Sequence, residues 1–196
     1  MIDLKSFLEN KIRSIVSSWH ETDIYAISFF LYTNESYEYN GFYNVPEFCI
    51  SYNTESQCGK AGLFSEKKWN YAFWLQNEEP IIKVASDNIG IKVLFDWYKE
   101  KGIKNIGYED YTACYDNNMN YIGKGPVGYY ELLEVITSIA RNLQESNFIK
   151  NVIGKNIPII IHDLDYTWYT IEATRIANPY GEANDYLTAI EYGFCE

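Results

Sequence analysis

Apolar residues recur along the chain with two periods, one typical of helices and one typical of strands. Between Asp3 and Trp19 they fall on one helical face, and the charged residues lie away from it. Similar spacing predicts a helix over 86–103, a long one over 127–148 and another over 167–178, where Asn178 and Pro179 end it. Shorter helices are predicted within 63–74 and 181–196.

The helix over 86–103 has the clearest boundaries. Ser86 or Asp87 is expected to cap its first turn, and Gly102 is expected to end it. Its buried stripe is predicted to consist of Ile89, Val93, Leu94 and Trp97.

Three segments read as strands, namely 23–33, 47–54 and the apolar run 157–163. The first two alternate aromatic with small residues, which favours an antiparallel, half-buried sheet. No strand, glycine loop and helix follow one another in the manner of a nucleotide-binding fold. The sequence therefore predicts an α+β fold over residues 1–196, in which several helices pack on a mostly antiparallel sheet in one domain.

The charge of the chain restricts its partners. A net charge of −11 and an isoelectric point near 4.7 argue against binding to nucleic acid or to anionic membranes, which need clustered Lys and Arg. A basic protein partner stays compatible with this charge. Because the first residues lack the apolar core of a signal peptide and no later run approaches a membrane span, we expect a cytoplasmic protein.

The cysteines do not have the spacing of a metal site. Cys49, Cys58, Cys114 and Cys195 are far apart, and the chain contains only two histidines. We expect free thiols, no bound metal and no cofactor.

One cluster could be catalytic, because His162, Asp163 and Asp165 follow directly after the apolar run. Asp163, Asp165 and Thr167 resemble the nucleophile motif of the haloacid dehalogenase phosphatases. That resemblance implies a nucleophile at Asp163, an acid and base at Asp165, and a Mg²⁺ ion between them. However, only about thirty residues follow the motif, too few for the later strands that this family needs. The alternative is that both carboxylates cap the next helix, and that His162 is a partly buried, hydrogen-bonded side chain.

A second cluster lies in the predicted loop 107–128, where acidic residues alternate with tyrosines. Tyrosine is frequent throughout the chain, with nineteen in 196 residues. Tyrosine provides large and rigid contact area at binding sites, and acidic residues steer a basic partner. The predicted partner-binding residues are therefore Tyr108, Glu109, Asp110, Tyr111, Tyr115, Asp116 and Tyr121.

Three stretches carry a resemblance to a known family: YNTES at 52–56, SEKKWNYAFW at 65–74 and IIIHDLDYTWYTIEATRIANP at 159–179. They resemble a widespread bacterial family, the domain of unknown function numbered four-three-zero-three. The resemblance implies a small cytoplasmic protein, and some members are similar to immunity proteins encoded beside secreted polymorphic toxins. It supplies no catalytic residues.

Together these features predict a non-enzymatic immunity protein that neutralises a cognate, basic bacterial toxin by occluding its active surface. The alternatives are a metal-dependent hydrolase that uses His162, Asp163 and Asp165, and a structural interaction module.

Overall fold

A mixed four-stranded sheet organises the described part of the chain, and helices cover both of its faces. The computed structural model describes residues 3–59, 61–86 and 88–194. The strands are β1 Ile24–Asn34, β2 Val45–Thr54, β3 Glu79–Ile82 and β4 Ile159–His162. The helices are α1 Leu4–Ser17, α2 Glu55–Cys58, α3 Glu66–Trp69, α4 Ile89–Lys101, α5 Tyr129–Glu145, α6 Phe148–Ile153, α7 Trp168–Ala177 and α8 Asn184–Tyr192. Short 3-10 turns lie at Tyr71–Phe73 and Tyr111–Ala113.

The strands lie in the order β3, β2, β1, β4, and two of the three pairings are antiparallel. The predicted α+β fold with a mostly antiparallel sheet is therefore confirmed. The exception is β4, which pairs in parallel with β1 and places Ile161 opposite Phe29. The local pattern could not predict this pairing, because most of the chain separates the two strands. It brings the carboxyl ends of β1 and β4 together at one edge of the sheet.

The larger core lies between one face of the sheet and helices α1, α4, α5 and α7. Alternate residues of β1, namely Ile27, Phe29 and Leu31, belong to this core together with Ile159 and Ile161 of β4. All five are fully or almost fully buried, and burial of each side chain contributes about 1.5–3 kcal/mol of hydrophobic free energy. This face holds the helices that were predicted from the strongest apolar periodicity.

A smaller, mostly aromatic core covers the opposite face of the sheet. It contains Tyr25 of β1, Trp69 and Trp74 from the segment before β3, and Tyr186 of α8. Because both faces are covered, β1 is buried along most of its length, and the expectation of a half-buried sheet is wrong. The alternation of aromatic and small residues reflects two different cores instead of one core and one solvated face.

Helix α4 begins later than its sequence suggested. Its cap is Asn88, whose side-chain oxygen accepts a hydrogen bond of 3.1 Å from the backbone N–H of Ile91. Ser86 is therefore not the cap, and Asp87 lies outside the described residues. Asn is as good a cap as Ser or Asp, so residue preference alone could not separate three neighbouring candidates.

The predicted buried stripe of α4 is only partly correct. Val93 and Leu94 are buried and Trp97 packs against the core, but Ile89 is exposed. Ile89 is the first residue of the helix, and its side chain lies in solvent. Gly102 ends the helix in a left-handed conformation, with φ 69°, as predicted.

Two further segments differ from the sequence-based expectations. Strand β3 was not predicted, because it has four residues, begins with the exposed pair Glu79 and Pro80, and lies at the edge of the sheet. The helix predicted within 63–74 is a single turn, α3, followed by a 3-10 turn. Ser65 occupies the cap position of α3 without a side-chain capping bond to any described residue.

The described residues carry neither a disulfide nor a membrane span. Cys49, Cys58 and Cys114 are buried free thiols, and Cys195 lies outside the described residues. No helix in the described part of the chain is long and apolar enough to cross a membrane.

Candidate functional site

A cleft of about 640 Å³ opens beside the carboxyl ends of β1 and β4. Its walls come from the end of β1, the tyrosine-rich loop, the start of α5 and the segment that joins β4 to α7. We call it the acidic tyrosine cleft. The sixteen described residues that line it are Tyr32, Thr33, Glu109, Tyr111, Tyr115, Asn120, Tyr121, Gly125, Pro126, Tyr129, Asp163, Asp165, Tyr166, Thr167, Trp168 and Tyr169.

The cleft unites residues from two clusters that were predicted separately. Glu109, Tyr111, Tyr115 and Tyr121 of the predicted partner-binding set line it, and so do Asp163 and Asp165 of the predicted catalytic set. The other predicted partner-binding residues, Tyr108, Asp110 and Asp116, are not among the lining residues. Tyr108 is nevertheless exposed on the same loop.

Asp110 and Asp116 shape the tyrosine-rich loop. Asp110 caps the 3-10 turn and accepts hydrogen bonds from the backbone N–H and the hydroxyl of Thr112, at 3.1 and 2.7 Å. Asp116 accepts bonds from the backbone N–H groups of Asn118 and Asn120, at 2.8 and 2.9 Å. The Asn120 side-chain amide also donates to this carboxylate, at 3.0 Å. This bond contributes most to lowering the pKa of the Asp116 carboxyl, and the backbone bonds add to it. Both carboxylates are therefore held in turns, although each still contributes negative charge near the cleft.

Glu109 and Tyr121 fasten the two sides of the loop to each other. The Tyr121 hydroxyl donates a hydrogen bond of 2.5 Å to the Glu109 carboxylate, and burial together with this bond raises the pKa of Tyr121. Gly123 packs so closely here that an added Cβ would lie 2.7 Å from Cys114 Sγ and 2.9 Å from the Tyr121 ring. The Gly123 carbonyl accepts a 2.9 Å bond from the Trp168 indole N–H, which ties the loop to the start of α7.

Asp163 is partly buried in the cleft, and its position differs from the predicted helix cap. Its oxygens accept hydrogen bonds from the Thr167 hydroxyl at 2.8 Å, the Asp165 backbone N–H at 3.1 Å and the Tyr129 hydroxyl at 3.4 Å. Burial raises the pKa of Asp163, which these donors only partly offset. A partly buried carboxylate without a cation is a natural acceptor for a cationic ligand.

The cap prediction for Asp163 and Asp165 is therefore wrong. The cap residue of α7 is Thr167, and it makes no side-chain capping bond to a described backbone N–H group. Asp165 is exposed and its carboxylate has no hydrogen-bond partner among the described residues. Asp163 and Asp165 precede the cap residue Thr167 by four and two positions, so neither carboxylate lies where it could accept from the free N–H groups at the start of α7.

His162 faces away from the acidic tyrosine cleft. Side chains alternate along β4, so His162 shares the face of Ile160 and lies in the smaller aromatic core. Its Nε2 lies 2.7 Å from Ser28 Oγ, its ring stacks on Phe30, and burial lowers its pKa to about 3. It is more deeply buried than expected, with 5% of its surface exposed.

This split separates the three residues of the predicted hydrolase cluster. His162 lines a different cavity from Asp163 and Asp165, so the three do not converge on one ion. More generally, the described residues contain no group of three His, Cys, Asp or Glu side chains that could hold a metal ion.

The backbone between β4 and α7 is strained. Leu164 has φ 80° and Tyr166 has φ 51°, both in the left-handed region that non-glycine residues rarely adopt. Such conformations cost about 1–3 kcal/mol each and cluster at functional sites. Here they turn Asp163 and Asp165 toward the cleft and separate them from His162.

An ion pair between a buried carboxylate and a partly exposed lysine supports the wall of the cleft that β1 provides. Glu47 is fully buried and its carboxylate accepts bonds from Tyr32 at 2.5 Å, Asn34 at 2.8 Å, and both Lys83 and the Val84 backbone at 2.7 Å. Burial alone would raise the pKa of Glu47, but these four donors lower it. The network fixes Tyr32, whose ring lines the cleft.

The cleft is acidic and aromatic at once. Of its sixteen described lining residues, seven are Tyr, three are Asp or Glu and none is Lys or Arg. None of these three carboxylates forms an ion pair with another described residue. At its rim, Tyr111, Tyr115 and Trp168 are 65%, 45% and 42% exposed. The arrangement suits a cationic side chain that stacks on rings and bonds to carboxylates.

Sequence reasoning missed Tyr32, Tyr129 and Tyr169 as lining residues. Each belongs to a predicted strand or helix, and the composition of these segments gave no sign of a binding role. The available signal was positional, since Tyr32 lies near the end of β1 and Tyr129 and Tyr169 lie at the starts of α5 and α7. Only the parallel pairing of β1 and β4 brings those ends together.

Comparisons of the chain with protein-family models, with curated proteins and with solved structures found no significant match. The resemblance to the bacterial family numbered four-three-zero-three therefore stays a prediction.

Proposed function

We propose that this protein is a cytoplasmic, non-enzymatic immunity protein that binds a cognate bacterial toxin through the acidic tyrosine cleft. The observation that supports the proposal best is the cleft itself, which combines uncompensated carboxylates with exposed aromatic rings. A basic segment of the toxin enters the cleft, and the body of the protein then covers the active surface of the toxin.

Charge supports this choice of partner. The chain carries a net charge of −11, and Glu109, Asp163 and Asp165 lie together in the cleft without a described cationic partner. An acidic cleft concentrates field lines and raises the association rate of a basic partner. Toxin domains that act on nucleic acid need basic surfaces for their own substrate, so an acidic inhibitor competes for that surface.

Aromatic area supports tight binding. Tyr111 and Trp168 expose large rings to solvent, and a partner that covers them gains hydrophobic burial together with a hydrogen bond to the Tyr111 hydroxyl. Such residues form hot spots, whose truncation costs about 2 kcal/mol or more of binding free energy. We therefore expect the rings to determine dissociation and the acids to determine association.

The experiment uses the candidate toxin domain encoded by the gene beside the one for this protein, co-expressed in cells and purified for binding kinetics. Tyr111→Ala should abolish or strongly reduce protection and raise the dissociation rate at least tenfold, since about 1.4 kcal/mol corresponds to a factor of ten. The matched control is Tyr180→Ala, because Tyr180 is equally exposed, at 68% against 65%, but does not line the cleft.

A second pair of variants tests the charge argument. Asp165→Asn should slow association at low salt and leave it nearly unchanged at high salt, because screening removes the steering term. Asp96→Asn removes the same charge from an exposed position on α4 and should have a smaller effect. If Tyr111→Ala and Asp165→Asn behave like their controls, the interface lies elsewhere. A neighbouring gene for a metabolic enzyme, in place of a secreted toxin, would count against immunity altogether.

A further inference from the structure

A second cavity, of about 300 Å³, lies on the other side of the strained segment after β4. We call it the His162 cavity. Its walls are aromatic, formed by Phe30, Trp69, Tyr71, Trp74, Tyr166 and Tyr186. Its volume is at the lower end of the range for ligand pockets, and flat rings are the ligands that such walls pack best.

One polar side chain in this cavity has an unused hydrogen-bonding atom. Only 5% of the surface of His162 is exposed, and its Nε2 lies 2.7 Å from Ser28 Oγ, with which it forms a hydrogen bond. Its other ring nitrogen, Nδ1, has no hydrogen-bond partner among the described residues. Every fully buried nitrogen or oxygen of a described side chain has a hydrogen-bond partner. Because Nδ1 has none, it keeps some exposed surface, and His162 lines this cavity.

The neighbouring serine determines which nitrogen of His162 carries the proton. Ser28 is fully buried, and its hydroxyl has no other partner among the described residues. If Nε2 carried the proton, the hydroxyl proton of Ser28 would have no acceptor, which is costly for a buried group. The hydroxyl therefore donates to Nε2, and the uncharged ring presents an N–H donor at Nδ1.

A carboxylate gives the cavity a second preference. Glu78 lines it, and one of its oxygens accepts a 2.8 Å bond from the Tyr71 hydroxyl. The other oxygen has no hydrogen-bond partner among the described residues. A ligand that donates a hydrogen bond suits this oxygen, whereas a negatively charged ligand is repelled.

We propose that the His162 cavity is a binding site for a small, flat, uncharged ring compound that carries an amide-like group. The ring packs among the aromatic walls, a carbonyl oxygen accepts from His162 Nδ1, and an N–H group donates to Glu78. This site is separate from the acidic tyrosine cleft, with Tyr166 lining both, and it does not depend on the protein's binding a toxin.

Benzamide, toluene and benzoate are probes that share one ring and differ only in the group attached. Calorimetry on the whole protein should give benzamide an affinity at least tenfold above that of toluene, which lacks the acceptor. Benzoate should also bind at least tenfold more weakly than benzamide, because Glu78 repels it. His162→Phe keeps an aromatic ring and should reduce benzamide to the affinity of toluene. Glu78→Gln should raise the affinity for benzoate.

Two measurements keep the test valid whether or not the buried variant folds. In the unaltered protein, benzamide should shift the nuclear magnetic resonance signal of the His162 Nδ1 proton, and toluene should not shift it comparably. Tyr111→Ala, in the other cleft, should leave benzamide affinity unchanged. The proposal is overturned if benzamide does not bind at millimolar concentration, if it binds no better than toluene, or if the Nδ1 signal does not respond.

Discussion

Removal of the Glu47 carboxylate tests how the β1 wall of the cleft is held. Glu47 is fully buried and accepts four hydrogen bonds, one of them from the Lys83 ammonium group at 2.7 Å. In Glu47→Ala the donors of Asn34 and Val84 lose their acceptor inside the protein, while Lys83, which is partly exposed, can turn toward water. Each buried donor left without an acceptor costs about 1–3 kcal/mol, so the two together cost about 2–6 kcal/mol. For a domain of this size that corresponds to a fall in melting temperature of roughly 4–24 °C.

Urea unfolding of Glu47→Ala, Lys83→Met and the double variant measures the coupling directly. Lys83→Met leaves a buried charge without its counter-ion and should also destabilise, but the double variant should be little worse than Glu47→Ala alone. Glu145→Ala is the control, since its exposed pair with Arg141 should contribute about 0.5 kcal/mol or less. A cost for Glu47→Ala as small as that of Glu145→Ala would refute the reasoning.

The same network predicts a pH dependence. Because its hydrogen bonds hold the folded-state pKa of Glu47 below the ordinary value of 4.5, its stabilisation is complete above that value. It is lost as the pH falls through the folded-state pKa. Unfolding free energies measured from pH 7 downward should therefore decline at acid pH in the unaltered protein, and less steeply in Glu47→Ala.

Three further predictions concern backbone and charge. Gly90→Ala should destabilise the protein by about 1–3 kcal/mol, because the new Cβ would lie 1.9 Å from the Ile81 carbonyl oxygen. Gly62→Ala is the control in the same urea assay. It should be nearly neutral, because no atom lies within 4 Å of the Cβ that it adds. Leu164→Gly should keep or raise the unfolding free energy, by up to about 1 kcal/mol, because it relieves a left-handed residue, and a loss of more than that would contradict the strain argument. Asp163→Asn should not lose stability at pH 7, because a raised folded-state pKa means that the ionised carboxylate is less favourable in the folded chain than in the unfolded one. This penalty fades as the pH falls through the folded-state pKa. The stability advantage of the variant should therefore shrink at acid pH.

Local patterns were sufficient for the long elements. The apolar faces of α1, α5 and α7 and the β-branched and aromatic composition of β1 and β2 all lie within single segments, so periodicity could identify them. Strand β3 escaped because four residues at a sheet edge, one of them Pro80, have too little pattern of their own. The parallel pairing of β4 with β1 depends on contacts between distant segments, and no local pattern encodes it.

The candidate site was predictable only in part, for the same reason. Acidic and aromatic residues concentrated within one loop pointed to Glu109, Tyr111, Tyr115 and Tyr121, all of which line the cleft. The role of Asp163 was misassigned because strand ends and helix caps favour the same residue types. The residues Tyr32 and Tyr129 join the cleft through the topology of the sheet and α5, which composition does not reveal.

The central proposal is tested most directly by hydrogen exchange of the protein alone and in complex with the toxin domain that the neighbouring gene encodes. The account predicts that binding protects backbone amides in two separate segments, 108–125 and 163–169, because both form the walls of the acidic tyrosine cleft. Residues 57–59 and 65–67 line a different cavity and serve as an internal control segment whose exchange should not change. Protection confined to that control segment, or absent from both cleft segments in a complex that forms, would contradict the proposed interface.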